Sequence, residues 1–450
     1  MSTSDNDRFD AIVLGAGPAG EVVVARLNAH GLRTALVERE LIGGECGYWA
    51  CIPSKTLLRP GEVRSEARLA FGTSTPELTW REVADYRDYM IRNLDDSSEI
   101  ESYEQSGVTV VKGAGALRGP GEVQVGERTL RSERIVIATG SDPVIPPIEG
   151  LEQAGYWTNR EATTFEQPPD SALILGGGPV GIELAQLLRR FGAEVHLVEA
   201  AERLLSREDP RVGALVLEAL RADGIDVHLG VEASAVTRSH GLRAVSIGDA
   251  QVRARELIVA VGRTPRTRGL GLEAVGIEAG GHGIEIDERC RAAEGVWAVG
   301  DVTGVMPFTH VAKYQGRIAC RDIAGESSVR ADYRGVPRVV FSDPEVAAVG
   351  LTEEQAQGTD VAGVHVALGE TIARPHTYEK DPRGELQLLA DKQRGVLIGA
   401  WGVGPLASEW IHFAALAIKA EVPLAVLKDA VPQFPTYVEA YQYALEQLQI

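Results

Sequence analysis

The chain has 450 residues and a formal net charge of −19, with 64 acidic residues against 45 lysines and arginines. This balance argues against a nucleic-acid partner, because neutralising phosphates requires clustered basic side chains. No apolar run approaches the roughly 18 residues of a membrane span, so we expect no membrane partner either. With 44% hydrophobic residues, the composition predicts a soluble globular protein of about two to four domains.

The amino-terminal stretch "MSTSDNDRFD" has neither the basic start nor the apolar core of an export signal. Four cysteines in so long a chain do not form a disulfide scaffold, so we expect a cytoplasmic protein. In a reducing compartment, a close cysteine pair is typical of catalysis or metal binding rather than of structure.

The predicted elements begin with a strand, a glycine-rich turn, a helix and a second strand in "FDAIVLGAGPAGEVVVARLNAHGLRTALVER", residues 9–39. The same plan returns in "SALILGGGPVGIELAQLLRRFGAEVHLVEA", residues 171–200. Each copy ends its second strand with an acid, Glu38 or Glu199, 23 residues after its first glycine. The turn glycines are Gly15, Gly17 and Gly20 in the first copy and Gly176, Gly178 and Gly181 in the second.

Both copies match the physical requirements of dinucleotide binding. The glycines allow a tight turn and let the backbone approach a pyrophosphate, which lies at the amino-terminal end of the following helix. The acid accepts hydrogen bonds from a ribose diol. A single turn of this kind is a weak signal, because some glycine-rich turns in sheets bind no ligand. Two copies, each with the acid in register, predict two dinucleotide sites.

Later segments close each unit and outline the domains. "RIVIATGSDPVIP" and "ELIVAVGRTPRT" each add an apolar strand and a glycine–proline break, which indicates that the second unit is inserted into the first. "GVWAVGDVTG" then places Asp301 at the carboxyl end of a strand, where an acid can receive a ligand hydroxyl. We predict a first dinucleotide domain over 1–150 and 270–335, a second over 151–269, and an α+β interface domain over 336–450.

The stretch "GGECGYWACIPSK", residues 43–55, holds Cys46 and Cys51. A zinc site would need further ligands at short spacing, and none accompanies the pair, so we predict no metal. Two buried hydrophobic cysteines remain an alternative to a redox pair. A disulfide prefers Cα atoms about 4.4–6.8 Å apart, whereas five residues of ideal helix rise about 7.5 Å. A redox pair therefore requires a distorted helix, for which Gly47 and Pro53 are the candidate positions.

Seven motifs occur in the order found in a known family: "GAGPAG", "CIPSK", "ATGS", "GGGPVGIE", "VGRTP", "AVGD" and "DPEVAAVGLTEEQA". By these motifs the chain resembles the class I flavin-dependent pyridine nucleotide–disulfide oxidoreductases, which include dihydrolipoamide dehydrogenase, glutathione reductase and mercuric reductase. The resemblance covers nearly the whole chain. It implies an α/β fold with two Rossmann-like dinucleotide-binding domains, for FAD and NAD(P), plus a C-terminal α+β dimerisation domain of a homodimer.

The resemblance also implies an FAD-dependent NAD(P)H oxidoreductase that acts on a small-molecule substrate. Lys55 corresponds to the lysine near flavin N5, paired with Glu183. Glu199 favours NADH, because it would repel a 2′-phosphate, although Arg203 is near enough in sequence to keep NADPH open. The implied cofactor-binding residues are Gly15, Gly17, Gly20, Glu38, Gly44, Lys55, Gly140, Asp301, Thr309, Gly176, Gly178, Gly181, Glu199 and Gly262.

By the same resemblance, Cys46 and Cys51 are the redox-active disulfide. Cys51 is implied to be the thiol facing the flavin, and Cys46 the outer thiol that attacks an incoming disulfide. Between them, "GYWA" departs from the small residues and asparagine usual in the family, and Glu45 replaces a threonine. Tyr48 and Trp49 either shape a pocket for an aromatic or apolar substrate or fill space beneath the flavin.

A larger departure lies in "VPQFPTYVEAY", where Phe434 stands at the position of the family's catalytic histidine and Glu439 at that of its glutamate. In the family this histidine–glutamate pair shuttles a proton from the partner subunit, and phenylalanine cannot do so. Tyr437 and Glu439 are the nearest candidates for a replacement base. His376 and His412 lie in the same domain and are predicted to be solvated or core histidines.

Two relatives also lack the histidine. Mercuric reductase has a tyrosine there and a C-terminal cysteine pair; this chain ends "YALEQLQI", so we do not expect mercury handling. The 2-ketopropyl-coenzyme M oxidoreductase/carboxylase has a phenylalanine there. Three hypotheses follow: reduction of a disulfide or related non-standard substrate, reductive C–C cleavage or carboxylation like that enzyme, and a redox-sensing or electron-transfer flavoprotein without a small disulfide substrate.

Overall fold

The computed structural model describes residues 7–326, 328 and 330–449. The first six residues, which belong to the amino-terminal stretch without an export-signal pattern, lie outside the described residues. Among the residues described, no helix combines the length and apolar character needed to cross a bilayer.

The chain forms fifteen α-helices and 23 strands within the described ranges. The helices are α1 (Pro18–Ala29), α2 (Gly44–Tyr48), α3 (Cys51–Leu69), α4 (Trp80–Met90), α5 (Ser97–Gln105), α6 (Leu151–Ala154), α7 (Glu161–Thr164), α8 (Pro179–Arg190), α9 (Pro210–Ala222), α10 (Thr309–Ile323), α11 (Leu368–Thr371), α12 (Ala407–Trp410), α13 (His412–Lys419), α14 (Leu424–Asp429) and α15 (Glu439–Gln447). Short 3-10 helices cover Arg92–Leu94, Leu272–Val275, Asp301–Thr303 and Arg374–Thr377.

The strands are β1 (Ala11–Leu14), β2 (Thr34–Glu38), β3 (Thr109–Lys112), β4 (Gly115–Gly119), β5 (Glu122–Val125), β6 (Arg128–Arg131), β7 (Ile135–Ile137), β8 (Ser141–Pro143), β9 (Ser171–Leu175), β10 (Glu194–Glu199), β11 (Asp226–Leu229), β12 (Ala233–Ser239), β13 (Leu242–Ile247), β14 (Ala250–Ala254), β15 (Glu256–Val259), β16 (Arg263–Pro265), β17 (Arg291–Ala293), β18 (Val296–Ala298), β19 (Pro337–Val340), β20 (Glu345–Gly350), β21 (Val361–Ala367), β22 (Glu385–Asp391) and β23 (Val396–Gly404).

The chain divides into two compact units. The first comprises 1–53, 85–144 and 262–332. Its main sheet has the strand order β17-β18-β7-β1-β2-β3, with β1 parallel to both β2 and β7. Strands β1, β2 and β7 are buried along their whole length, as expected for parallel strands covered on both faces. A three-stranded antiparallel sheet, β4-β5-β6, completes this unit's sheets together with the β16-β8 pair.

The second unit comprises 54–84, 145–261 and 333–450. It contains a four-stranded parallel sheet ordered β11-β10-β9-β15 and a three-stranded antiparallel sheet, β12-β13-β14. Its last part is a five-stranded antiparallel sheet ordered β19-β20-β23-β22-β21. Buried side chains of α13, α14 and α15 form one hydrophobic core with this sheet.

The two glycine-rich segments fold as the sequence predicts, as strand, turn, helix and parallel strand. Helices α1 and α8 each begin directly after a glycine and carry a proline at their first position, Pro18 or Pro179. Proline is favoured there because its missing N–H would have no helical partner and its φ already suits a helix. The α/β architecture with an α+β carboxyl-terminal part confirms the predicted fold class.

Candidate active site

The two cysteines of the close pair lie on either side of a helix break. Helix α2 ends at Tyr48, Trp49 leaves helical geometry at φ −134°, and α3 starts at Cys51. The required distortion is therefore present, but not where it was expected. Gly47 lies inside α2, and Pro53 lies in the first turn of α3, where proline is tolerated.

A single hydroxyl connects the two sulfurs. The Thr309 Oγ1 atom lies 3.3 Å from the Cys46 Sγ and 3.3 Å from the Cys51 Sγ. Thr309 is the first residue of α10, and both cysteines are half-buried. The three residues belong to the same unit, so the fold brings the sequence-predicted pair together beside the predicted Thr309.

The electrostatics of the pair distinguish its members. A hydrogen bond with Cys51 and then burial raise the pKa of the Cys46 thiol, while the hydrogen bond from Thr309 acts in the opposite direction. Cys51 lies at the start of α3, and a helix amino terminus favours a thiolate. The surroundings of the two thiols thus differ: those of Cys46 favour its protonated form, whereas Cys51 lies where a helix dipole favours negative charge.

The burial of Tyr48 decides between the two roles considered for the aromatic residues that lie between the cysteines. Tyr48 is completely buried, and its ring edge lies so close to Gly43 that a Cβ there would approach it to 2.9 Å. Tyr48 therefore fills interior space, and the pocket interpretation is wrong for this residue. Trp49 is half-buried, and the Glu45 carboxylate lies 3.7 Å from the Arg263 guanidinium.

Lys55 and Glu183 form the predicted ion pair. The Lys55 Nζ lies 2.6 Å from the Glu183 Oε2, and the carboxylate is 9% exposed. The other carboxylate oxygen accepts a hydrogen bond of 3.0 Å from the backbone N–H of Phe341, whose ring lies 4.7 Å from the same ammonium. Lys55 follows Cys51 by about one turn of α3.

The first glycine turn fits the adenosine diphosphate part of a dinucleotide. A Cβ at Gly20 would overlap the Gly15 carbonyl oxygen, so the helix can approach the strand only with glycine there. The space next to Gly17 is open, as a pyrophosphate requires. Glu38 accepts hydrogen bonds from the backbone N–H groups of Ala16 at 2.7 Å and Glu40 at 2.7 Å, which hold its carboxylate at the end of β2.

The second glycine turn has the same construction. A Cβ at Gly181 would overlap the Gly176 carbonyl oxygen, and the space next to Gly178 is open. Glu199 accepts hydrogen bonds from the backbone N–H groups of Gly177 at 2.6 Å and Ala201 at 2.8 Å. The residues present therefore fit a second dinucleotide.

The other predicted cofactor residues occupy turns and strand ends. The Asp301 carboxylate accepts a 2.7 Å hydrogen bond from the Ser141 hydroxyl. Gly44 has a φ of +59°, and a Cβ there would meet the Gly17 Cα at 2.8 Å. Gly140 and Gly262 have φ values of +74° and +132° and open space in place of a side chain.

The carboxyl-terminal candidates lie just before α15 and at its first residue. The Phe434 side chain is 77% exposed, and Glu439 accepts a 2.9 Å hydrogen bond from the backbone N–H of Thr436 at the start of α15. Tyr437 is buried, and burial raises the pKa of its phenol. Burial therefore disfavours the phenolate form that a base at this position would require.

The two histidines of this part show no shared site. His376 is exposed, with its Nε2 atom 2.7 Å from the Gly369 carbonyl oxygen, and His412 is exposed at the start of α13. Their solvated positions agree with the prediction made for them.

Two contacts of the candidate site were not predicted from the sequence. Phe341 lies directly after β19 and contacts both members of the Lys55–Glu183 pair. The sequence alone does not predict this contact. Ser141 follows the glycine of "ATGS", and its place within that motif was a usable signal for a partner of Asp301.

Comparison with known proteins identifies the family. Residues 9–316 match the family model described as "Pyridine nucleotide-disulphide oxidoreductase". The chain belongs to this family. Residues 336–445 match the dimerisation domain of the pyridine nucleotide-disulphide oxidoreductases.

Individual relatives span almost the whole chain. A mercuric reductase from Acidithiobacillus ferrooxidans is 32% identical over 99% of this chain and 83% of its own length. A dihydrolipoyl dehydrogenase from Thermus scotoductus is 33% identical over 98% of this chain and 97% of its own length. Among solved structures, the HOCl-induced flavoprotein disulfide reductase RclA from Escherichia coli has a TM-score of 0.87 at 27% identity, over 98% of this chain and 100% of its own.

These matches confirm the predicted family and enzyme class. The chain is an FAD-dependent pyridine nucleotide-disulphide oxidoreductase that uses NADH or NADPH, and its carboxyl-terminal part is a dimerisation domain. The matched relatives include enzymes named for different substrates, so family membership leaves the substrate of this chain to be argued from its own residues.

Proposed function

We propose that this chain is a cytoplasmic, homodimeric, NADH-preferring oxidoreductase in which Cys46 and Cys51 alternate between disulfide and dithiol to reduce a small substrate. The observation that carries the proposal is the Thr309 hydroxyl, which lies 3.3 Å from both sulfurs. In this proposal 1–150 and 270–335 hold FAD, 151–269 holds the nicotinamide cofactor, and 336–450 forms the subunit interface.

The cysteines perform the exchange steps. After the disulfide has accepted two electrons, the Cys46 sulfur, having lost its proton, attacks a sulfur of the substrate disulfide. One substrate thiol leaves with a proton, and a mixed disulfide remains on Cys46. The Cys51 thiolate then attacks the Cys46 sulfur, which releases the second substrate thiol and restores the Cys46–Cys51 disulfide. In sum, NADH, a proton and one disulfide become NAD⁺ and two thiols.

The cofactors supply the electrons for this cycle. FAD, when bound, carries the two electrons of NAD(P)H to the cysteine disulfide. We assign Gly15, Gly17, Gly20 and Glu38 to its adenosine end, with Gly44, Gly140, Asp301 and Thr309 as further contacts. The Glu183 carboxylate, 2.6 Å from the Lys55 ammonium, fixes that positive charge one turn after Cys51, where it favours negative charge on a bound cofactor.

The preference for NADH rests on two side chains. The Glu199 carboxylate, held by two backbone N–H groups, would repel a 2′-phosphate and accept hydrogen bonds from a free ribose diol. Arg203 donates to the backbone carbonyls of Ser206 and Glu208 at 2.8 and 2.6 Å, and these bonds hold its guanidinium within its own loop. We assign Gly176, Gly178, Gly181 and Gly262 to the same nicotinamide cofactor.

A second copy of the chain is the proposed partner of the carboxyl-terminal domain. Large apolar side chains are exposed there, and covering them is the ordinary role of a subunit interface. Phe434, which the family resemblance assigns to the position of the catalytic histidine, is one of them, with Glu439 near it in sequence. The exposed side chains are Leu351, Leu406, Leu416, Val426, Val431, Phe434 and Tyr443.

An anaerobic NADH titration tests the redox pair. We expect two electrons per chain to be taken up beyond those of the flavin alone, with a long-wavelength charge-transfer band from the Cys51 thiolate. The Cys46→Ser variant should keep the band and lose turnover, whereas Cys51→Ser should lose both. A charge-transfer band that persists in Cys51→Ser overturns the assignment of the pair.

Phe434, which the resemblance assigns to the relay position, supports a second candidate, reductive C–C cleavage or carboxylation, because a phenylalanine side chain has no proton to give to a carbanion. A panel of disulfides, quinones, dyes and soft metal ions, run on wild type and Phe434→His, separates the candidates. A gain of about 10²-fold in disulfide reduction by Phe434→His would support proton exclusion. No gain would count against it, and flavin reduction by NADH without turnover of any acceptor would favour a redox-sensing role.

A further inference from the structure

Three chemically active side chains meet on one face of the parallel sheet of the second unit. Strands β10 and β11 pair in parallel, with His196 opposite Asp226 and Val198 opposite His228. Opposite residues of a parallel pair point to the same face, and so do residues two apart along a strand. His196, Asp226 and His228 therefore share a face, although 32 residues separate the histidines in sequence.

The distances among their polar atoms suit a metal ion. The Asp226 Oδ2 lies 3.2 Å from the His196 Nδ1 and 3.2 Å from the His228 Nε2. The three atoms all lie within 4.8 Å of one another. Ligand atoms around a tetrahedral ion with bonds of about 2.0–2.1 Å are about 3.3 Å apart, a spacing that both contacts of Asp226 already match.

The two ring nitrogens lack the hydrogen bonds that buried polar atoms usually make. The His196 Nδ1 and the His228 Nε2 are both inaccessible to solvent and have no hydrogen-bond partner among the described residues. The Asp226 oxygen is near both of them but aligned with neither for a hydrogen bond. A cation bound by the two nitrogen lone pairs and the carboxylate would satisfy all three groups.

The surroundings provide an orienting group and an open position. The Glu194 Oε1 lies 3.6 Å from the His196 Nε2, the ring nitrogen that would not bind the metal. Metal-binding histidines typically donate this second N–H to a carboxylate, which orients the ring. Asp226 is 61% exposed, so solvent could reach a fourth coordination position.

We propose that His196, Asp226 and His228 form a binding site for a divalent transition metal ion, with Glu194 as a positioning residue. Two imidazoles and a carboxylate suit Cu²⁺, Ni²⁺ and Zn²⁺, with Cu²⁺ bound most tightly of the three. Because β11 is the edge strand of its sheet, the ion would clip this edge to β10. The competing explanation is a metal-free cluster in which a protonated imidazole pairs with Asp226.

Electron paramagnetic resonance of added Cu²⁺ tests the site. The FAD-loaded enzyme is used with its Cys46–Cys51 pair oxidised and without NADH, so that the thiols do not bind the ion. We expect one Cu²⁺ per chain with superhyperfine coupling to two nitrogens, and its displacement by excess Zn²⁺. His196→Gln and His228→Gln should each weaken binding by at least about tenfold and lose one nitrogen coupling.

His240→Gln is the matched control, because His240 is exposed in the same unit and its Nδ1 lies 2.8 Å from the Ser239 hydroxyl oxygen. It should bind Cu²⁺ as wild type does, and all three variants should keep their FAD. Zn²⁺ should raise the Tm of wild type and His240→Gln but not of His196→Gln. Equal Cu²⁺ binding in all variants, or loss of the signal in Cys46→Ser, would refute the proposed site.

Discussion

The two glycine-rich turns make the same contacts, but the helices that follow them differ in how deeply their first turns are buried. In each turn the third glycine allows its helix to touch the carbonyl of the first, and a glutamate binds two backbone N–H groups. The first turn of α1 is closed over: Ala19 is 4% exposed, and Gly300 and Gly316 pack against it. The first turn of α8 is open, with Val180 43% exposed.

This difference shows how one local motif can serve two kinds of ligand. In the proposed assignment the glycines and the acid would provide a pyrophosphate and ribose site in both places, whereas the covering elements would determine how readily a ligand can leave. A covered turn suits a resident cofactor such as FAD, and an open turn suits one that exchanges at every cycle, such as NADH. The following predictions test this contrast, beginning with the largest expected effect.

The glycine pair Gly20 and Gly181 gives the sharpest test. Gly20→Ala should lower the FAD retained per chain by more than about tenfold, because the new Cβ pushes α1 away from the turn. Gly181→Ala should retain FAD and raise the Kd for NADH by about tenfold or more for the same steric reason. Flavin absorbance after desalting and an NADH titration measure the two effects.

Circular dichroism of both glycine variants serves as the control for folding. If Gly181→Ala lost its flavin as completely as Gly20→Ala, the two turns would not serve different ligands.

The two glutamates test the same contrast through charge. Glu199→Gln should reduce the ratio of kcat/KM for NADH to that for NADPH by about tenfold, because the repulsion of the 2′-phosphate disappears. Glu38→Gln should leave this ratio unchanged and weaken FAD retention instead. Steady-state kinetics with both cofactors provide the measurement, and an equal change of the ratio in both variants would contradict the assignment.

A smaller effect is expected in the packing that covers the first turn. Cys320 of α10 is buried with its Sγ 3.6 Å from the Val23 carbonyl oxygen of α1, and burial raises the pKa of this thiol from 9.0 to about 12. The unfolded chain loses this proton at a lower pH than the folded chain does. Stability is therefore complete below pH 9 and falls as pH rises toward 12, by up to about 1.4 kcal/mol per pH unit.

Urea unfolding of wild type and Cys320→Ala between pH 8 and pH 10.5 measures this contribution. The alanine variant should be less stable at pH 8, and the difference in the free energy of unfolding should shrink above pH 9. A difference that stays constant across the range would show that Cys320 does not titrate as its burial requires.

Much of the fold and of the candidate site could be predicted from local patterns. The strand–turn–helix–strand units, Glu38 and Glu199 followed from glycine spacing, because the steric limits of a turn act on neighbouring residues. The motif order also suggested the Lys55–Glu183 pair. The position of the helix break was harder to predict. Gly47 lies within a helix, and the helical geometry ends at Trp49 instead. Burial of Tyr48 and Tyr437 depended on packing that no local pattern records.

The sequence by itself therefore determined the family, the two dinucleotide turns and the presence of a close cysteine pair, since each is written in residues near one another along the chain. Only the tertiary structure decided which distant groups meet. Thr309 reaches the sulfur of Cys46 across 263 residues, and His196 meets Asp226 and His228 through strand register. Such encounters depend on how strands pair and helices pack, and their energies come from contacts that sequence separation does not reveal.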